Sequence, residues 1–465
     1  MLKKSIIKKL KTILGTGNLL IDEADLLCYS YDASGISVIP DAVALPKNKQ
    51  QISDILLIAQ QEKIPVVPRG AGTATTGSAV PVKGSIVICL SKMNQIKRIS
   101  STDLIAEVEP GAITKDIQNE VQKYGLFYPP DPASLKFCTI GGNVSTCAGG
   151  PCGVKYGVTK DYILGLEVVL PNSKIIKLGT KTSKGVVGYD LTKLFVGSEG
   201  TLGIITSIYL KLIPKPSYVK TIVAIFPDTN TACSTITCIL TSGIRPKCAE
   251  LMDHLSLSCI KEQLPFSVPQ TAKALVLVEV DGSDPQGVEF EAQLIRSCCN
   301  SNKAIFSQVS EDKQYTQKLW QARRGLSPAL KKLGFPHKIS EDICVPRSHI
   351  ADMVSIVHSL GTKYGLLSLV FGHAGDGNLH VNLLINKNDS TQLKKAEKFI
   401  CELMEHTLAL DGTISGEHGV GLTKRAFIKK ELGDEIIKLM YKIKKDIDPN
   451  NIMNPNKLFP GKFTV

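Results

Sequence analysis

The sequence predicts an α+β protein of at least two domains, and three observations carry that expectation. Its 465 residues exceed the length at which a single hydrophobic core stops growing. Residues 38–213 alternate strand-like and helix-like stretches, whereas beyond 218 the pattern becomes long apolar strands separated by longer helices. Between the two lies PKPSY at 214–218, a proline-bearing linker. Apolar residues make up 43% and charged residues 21%, the balance of a globular chain rather than a disordered or fibrous one.

The elements follow in order. MLKKSIIKKLKTIL interleaves lysines with Ile6, Ile7, Leu10, Ile13 and Leu14 at helical spacing. It predicts an opening helix packed on the fold, with a membrane-surface anchor as the alternative. A secretory signal would need a continuous apolar block, and no run approaches the roughly 18–20 apolar residues of a membrane span. VIPDAVALPKN leads into a helix over 50–63 and a short strand over 65–68. SIVICL (85–90) and LIAEVEPG (104–111) predict buried strands, 114–123 a short helix, and the glycine-dense 141–157 a loop. LGLEVVLPNSKIIKL (164–178) has the form strand, Pro-Asn turn, strand, and GIITSIYLKL adds another strand. Past the linker, YVKTIVAIF, ALVLVEVDG, LLSLVFGHA and LHVNLLIN read as strands, with helices at 229–243, 286–301 and 393–410. A basic amphipathic helix ending in DPNNIMNPNKLFP closes the chain. The expected domains are 1–213, 214–425 and 426–465.

The net charge of +12 is spread along the chain without a nucleic-acid-reading motif, so no nucleic-acid partner is expected. A general positive field would attract an anionic substrate or a membrane surface, which leaves a peripheral contact at the inner membrane face open. The 13 cysteines contain no C-x-x-C and none of the tight runs that hold an iron–sulfur cluster. Their odd number, with no signal peptide, predicts reduced thiols in a cytoplasm.

VVPRGAGTATTGSAVP (66–81) has the composition of a phosphate cradle. Gly70, Gly72 and Gly77 let backbone N–H groups approach an anion without side chains in the way. Thr73, Thr75, Thr76 and Ser78 add hydroxyls, and Arg69 adds charge. The spacing matches neither the dinucleotide fingerprint nor the P-loop, and alone it would also suit a surface turn. IGGNVSTCAGGPCGVKYG (140–157) and FVGSEGTLGI (195–204) repeat the theme. Three such loops suggest one extended, multi-phosphate cofactor.

FGHAGDGNLHVN (371–382) carries two histidines seven positions apart, which a straight strand would point to opposite faces. The intervening A-G-D-G-N is turn chemistry, so the chain should reverse and bring His373 and His380 side by side. SGEHGVG (415–421) adds Glu417 and His418 in a glycine-flanked loop. Two histidines and a carboxylate make a three-ligand site with open positions, suited to zinc, manganese or iron rather than magnesium or calcium. A structural histidine pair is the competing reading. The remaining histidines lack such neighbours.

PRGAGT, YPPDPAS, IGGNVSTCAGG, KYGVT, GSEGTLGI and the closing NPNK occur in the order found in the vanillyl-alcohol oxidase superfamily, and the chain resembles it along nearly its whole length. Within it, the chain is similar to the glycolate oxidase FAD subunits and the D-lactate and D-2-hydroxyglutarate dehydrogenases. The resemblance implies a PCMH-type FAD-binding domain of two subdomains, plus an α+β substrate (cap) domain with an antiparallel sheet. It implies that Pro68, Arg69, Gly70, Ala71, Gly72, Thr73 and Gly77 hold the pyrophosphate. Gly141, Gly142, Asn143, Thr146, Gly149 and Gly150 would line the flavin; Glu199, Gly200, Thr201, Gly203 and Ile204 would close over it, and Asn454 of the NPNK tail would also contact it. Cys147 stands where the family pattern carries asparagine, which puts one polar contact in doubt. No histidine precedes His254, so non-covalent FAD is expected.

The resemblance further implies a divalent cation at His373, His380 and Glu417, with His418 as catalytic base. Arg323, Lys338, Ser327 and Asn382 would contact the substrate, with Arg324 as a rival for the carboxylate clamp. The implied reaction is oxidation of a small 2-hydroxy acid, the proton leaving to His418 and a hydride to the flavin. Electrons would pass to a quinone, a flavoprotein, an iron–sulfur subunit or oxygen. The alternatives are a non-catalytic flavin subunit of a larger oxidase and an alkyl-transferring synthase, the latter disfavoured by Glu417. Nothing in the sequence states the oligomeric state.

Overall fold

The structure is a computed structural model describing residues 2–460, except the side chains of residues 331 and 332. The chain forms two compact units. The first comprises Met1–Gly149, Val158–Lys215 and Glu417–Val465; the second comprises Gly150–Gly157 and Pro216–Gly416. The chain passes from the first unit to the second between Lys215 and Pro216. The second crossing falls at Gly416–Glu417 rather than at 425, so the His418 loop and the closing helix belong to one unit.

In the first unit a four-stranded sheet runs in the order Leu19–Leu20, Ala42–Ala44, Ile86–Cys89, Val66–Arg69, its last three strands parallel. These strands are buried on both faces, which is why they read as continuous apolar runs. Helix Lys4–Leu14 buries Ile6, Leu10 and Leu14 against this core while its lysines stay outside. The opening helix is therefore a packed element whose apolar stripe is already covered. Replacing Leu10, which is fully buried, by alanine should cost about 2–5 kcal/mol.

A five-stranded antiparallel sheet, in the order Ile96–Ser100, Ile105–Val108, Ile204–Lys211, Ile163–Val169, Ile175–Gly179, completes the unit's sheets of more than two strands. The expected strand–turn–strand at 164–178 is the pair Ile163–Val169 and Ile175–Gly179. One expectation fails here. The stretch from 141 begins with a helix, Ile140–Thr146, because Thr139 caps it by accepting from the Gly142 N–H at 3.3 Å. Its glycines serve close approach: a Cβ on Gly141 would lie 2.6 Å from Pro110.

The second unit is built on a seven-stranded antiparallel sheet. Its order is Phe306–Val309, Tyr218–Phe226, Ala274–Gly282, Cys248–Met252, Leu367–His373, Asn378–Ile385, His337–Cys344. Strand Cys248–Met252 was not anticipated. Helices Thr229–Thr241, Pro285–Ser301, Lys313–Arg324 and Ser390–Ala409 each start at an aspartate, Asp228, Asp284, Asp312 and Asp389, whose carboxylate accepts first-turn N–H groups. Residues 150–157 leave the first unit to pack on this sheet. Lys155 Nζ lies 2.5 Å from Asp281 Oδ1 and the Tyr156 hydroxyl donates to Oδ2 at 2.8 Å. Among the described residues no helix is long and apolar enough to cross a membrane.

Candidate functional site

The first unit contains a pocket walled mostly by glycine and other small residues. Pro68, Arg69, Gly70, Ala71, Gly72 and Thr73 line it from the turn after strand Val66–Arg69. Gly141, Gly142, Asn143, Thr146 and Gly149 line it from helix Ile140–Thr146 and its exit, and Glu199, Gly200, Gly203 and Ile204 from the third loop. Gly72 has φ +70, and a Cβ there would strike the Arg69 guanidinium at 2.1 Å. Arg69 itself is buried and its pKa is lowered by that burial. Thr75 Oγ1 is buried in the same wall with no hydrogen-bond partner among the described residues, a polar atom awaiting a ligand. Small residues, open backbone and an unused buried hydroxyl fit a dinucleotide.

Other expected cofactor residues take supporting places instead of lining the pocket. Asn454 donates to the carbonyls of Ser78 and Glu199 at 2.9 and 2.7 Å, tying the tail to two of the loops. Thr201 donates to Ser198 O at 2.7 Å, stabilising its own turn. Gly77 sits against Leu422, and Gly150 belongs to the second unit. Pro132, Ser134 and Thr139 line the pocket without having been singled out, although YPPDPAS carries the first two. Cys147 is absent from the pocket lining. It caps helix Ile140–Thr146 at φ 55, a left-handed position that asparagine tolerates better than cysteine. What the departure from the family pattern alters is backbone preference, and burial raises the thiol's pKa.

Glu417 and His418 line the same pocket. A Cβ on Gly149 would meet Glu417 Oε2 at 2.7 Å, so that glycine makes room for the carboxylate. Their loop is pinned from two sides. Thr76 Oγ1 donates to His418 O at 3.3 Å, and Thr76 O accepts from Leu422 N at 2.8 Å. Glu199 accepts from Val420 N at 2.7 Å and Gly421 N at 2.9 Å. Burial pushes the Glu199 carboxyl up to about 7, against the pull of those two N–H groups and of the buried Lys457 and Lys424. Glu199 thus anchors the loop that carries His418, besides lining the pocket.

In the second unit the hairpin Leu367–His373/Asn378–Ile385 does what the turn residues predict. Phe371 pairs with His380, so His373, two residues on, shares a sheet face with it. The two Nε2 atoms lie 3.4 Å apart and both rings are buried. With metal–nitrogen bonds of about 2.0–2.1 Å, that separation subtends about 110° at a shared cation, near the tetrahedral angle. The pair fits a metal.

The same face carries the remaining candidates. Asn382 is fully buried, and its Oδ1 has no partner among the described residues. Lys338 is hydrogen-bonded to Ser327. Ser415 Oγ donates to Asp342 Oδ2 at 3.0 Å, and Asp342 pairs across the strands with His380. Arg323 lies in the last turn of helix Lys313–Arg324, which is tied down by Trp320 Nε1 donating to Glu279 Oε2 at 2.8 Å. Its Nε donates to Glu250 Oε2 at 2.6 Å and its Nη2 pairs with the same oxygen. Two of the three guanidinium nitrogens are thus committed within the protein. Glu250 Oε1 lies 2.5 Å from His373 Nδ1. Burial raises the Glu250 carboxyl pKa, but Arg323 and His373 outweigh it and hold it below the ordinary range. Sequence reasoning missed Glu250; its signal is a lone carboxylate in the apolar run CAELM. His358 bonds Asp253 at 3.1 Å, and Asp253 also accepts from Val370 N at 2.7 Å, a structural role.

Residues 215–458 match the family described as FAD linked oxidases, C-terminal domain, and residues 40–179 match the FAD binding domain. The chain is 42% identical over 460 residues to the glycolate oxidase subunit GlcD of Bacillus subtilis, covering 99% of this chain and 97% of that one. It is 33% identical over 461 residues to the mitochondrial D-lactate dehydrogenase [cytochrome] of Arabidopsis thaliana, covering 98% and 80%. Among solved structures it superposes on p-cresol methylhydroxylase with a TM-score of 0.81 at 18% identity, covering 98% of this chain and 96% of that one. An alkyldihydroxyacetonephosphate synthase gives 0.78 at 19% identity, covering 98% and 85%. These two likenesses show the PCMH-type fold alone. With both family matches spanning its two halves, and relatives aligned over almost its full length, the chain belongs to the FAD-linked oxidases.

Proposed function

We propose that this chain oxidises a small 2-hydroxy acid, glycolate, D-lactate or one of similar size, to the 2-oxo acid, with FAD bound non-covalently. The observation that carries the reading is the presence of Glu417 and His418 in the wall of the pocket formed by the three glycine loops. The relatives named for glycolate and D-lactate point to the same substrate class.

Bound FAD supplies the acceptor for the hydride leaving C2 of the substrate. A divalent cation, zinc, manganese or iron, would be held by His373, His380 and Glu417 and supplies a Lewis acid for the 2-hydroxyl. Ser415 is fastened to Asp342, cross-strand from His380, and Glu417 follows two residues later in the chain. His418 takes the hydroxyl proton at a ring nitrogen, in a loop kept in place by Thr76 and Glu199. Arg323 offers the substrate carboxylate its remaining nitrogen, Nη1, and Lys338, steadied by Ser327, offers a second charge. Asn382 Oδ1 accepts a hydrogen bond from the substrate. Electrons then leave to a quinone, a flavoprotein or an iron–sulfur subunit.

The test is dye-coupled turnover of the FAD-loaded protein against a panel of D- and L-2-hydroxy acids, with and without exhaustive chelation. Turnover of one or more of them, abolished by chelator while the flavin absorbance persists, is expected. An untouched rate after chelation removes the cation, and no turnover of any hydroxy acid removes the substrate class.

A further inference from the structure

We propose that Glu250 is a positioning residue that serves both the cation and the substrate, one buried carboxylate orienting His373 and Arg323 together. The inference deepens the function proposed above and rests on His373 as a cation ligand and Arg323 as a substrate contact.

Every residue of strand Cys248–Met252 is buried, and Glu250 is its only carboxylate, with no exposed surface. A charge so placed persists only where partners compensate its lost hydration. Antiparallel pairing of Leu251 with Gly372 sets Glu250 across from His373, one register step on. An ionised carboxylate only accepts hydrogen bonds. The His373 Nδ1 at 2.5 Å therefore carries the hydrogen, and the lone pair stays on Nε2. That Nε2 is the atom 3.4 Å from Nε2 of His380. The other oxygen takes Arg323 side-on through Nε and Nη2, which leaves Nη1 as the outer nitrogen. The guanidinium carbon then lies 4.9 Å over the ring of Phe371, two residues before His373 on the same strand. A single rotamer of Glu250 thus determines the aim of both groups.

Loss of a carboxylate behind a ligating histidine weakens metal binding by about 10–100-fold. Glutamine at 250 presents one acceptor and one donor, so it cannot serve both His373 and Arg323. We would titrate zinc into the FAD-loaded protein in competition with a chromophoric chelator and measure hydroxy-acid turnover alongside. Glu250→Gln is expected to weaken zinc by about 10–100-fold and to raise KM as Arg323 loses its brace, with Glu250→Asp intermediate. Should that variant fail to fold around an uncompensated Arg323, the double variant Glu250→Met/Arg323→Met removes both charges and the acceptor for His373, and should show the same zinc loss. Zinc affinity within twofold of the unsubstituted protein in a folded variant overturns the proposal, since a merely structural residue would lower the yield of folded protein and leave the affinity of the remainder alone. His373→Gln separates the two levels. If the unsubstituted protein binds no zinc, or His373→Gln binds it as tightly, the cation reading itself fails and the inference with it. If His373→Gln loses zinc and the Glu250 variants do not, only the role of Glu250 falls.

Discussion

The pocket of the first unit and the polar cluster of the second are made of different materials. The pocket is lined by the turns Gly70 to Thr73 and Glu199 to Gly203 and by helix Ile140–Thr146 with its exit, segments rich in glycine and small hydroxyl residues. The cluster is made of ionisable side chains on regular strands, with Glu250, His373 and His380 buried and Lys338 exposed beside them. Backbone turns tolerate an extended, flexible ligand. Strand-borne side chains hold a few atoms to a fraction of an ångström, because sheet pairing fixes their origins and buried hydrogen bonds fix their ends. The pocket thus meets its ligand chiefly through small residues and the cluster through ionisable side chains, with Glu417 and His418 brought into the pocket wall by their own loop, and substitutions should separate these contributions.

The largest expected effect is on chemistry. His418→Ala should lower kcat by about 10²–10⁴-fold in protein that still shows a full flavin spectrum, measured by rapid-mixing reduction of the flavin. Undiminished flavin reduction would deny His418 its role. Next comes the hinge of its loop. Gly421 has φ +51, and a Cβ there would lie 2.3 Å from the backbone oxygen of Thr76. Gly421→Ala should therefore push the His418 loop off the turn that carries Thr76, costing about 1–2 kcal/mol in stability and lowering kcat, to be read by thermal melting and kinetics.

Glu199→Gln probes the opposite side of that loop through pH. The carboxyl is pushed up from 4.5 to about 7 by burial, so the folded protein keeps a proton that the unfolded chain releases. Its contribution to stability is present below about 4.5 and is lost as pH rises through 7. Buried Lys457, lowered to about 8, stays largely protonated in both states below about pH 7 and adds its own, opposite slope only above that. The melting temperature should decline between about pH 5 and 7.5 in the unsubstituted protein, and less steeply in the glutamine variant. Equal slopes would show that Glu199 does not titrate there. The smallest effect is expected of Cys147→Asn, which relieves a left-handed cap and should raise stability by roughly 0.5 kcal/mol without altering the flavin spectrum. A changed spectrum would mean that position 147 touches the cofactor.

Much of this was legible beforehand, for local reasons. Apolar runs such as ALVLVEVDG and LHVNLLIN became strands Ala274–Gly282 and Asn378–Ile385. The A-G-D-G-N turn brought two histidines together because its residues allow the chain to reverse within a few positions. Less legible were a helix begun by glycines, Ile140–Thr146, and the five-residue strand Cys248–Met252, too short to show a period.

The sequence by itself determined most of the elements, the three glycine-rich segments, and the residue types that can hold an anion or a cation, because these depend on spacing over a handful of positions. Only the tertiary structure decided that Arg323 is braced by Glu250, that Glu199 holds the loop of His418, and that Cys147 answers to backbone geometry. Glu250 and His373 stand 123 residues apart, and only strand register, which is a property of the assembled sheet, makes them neighbours.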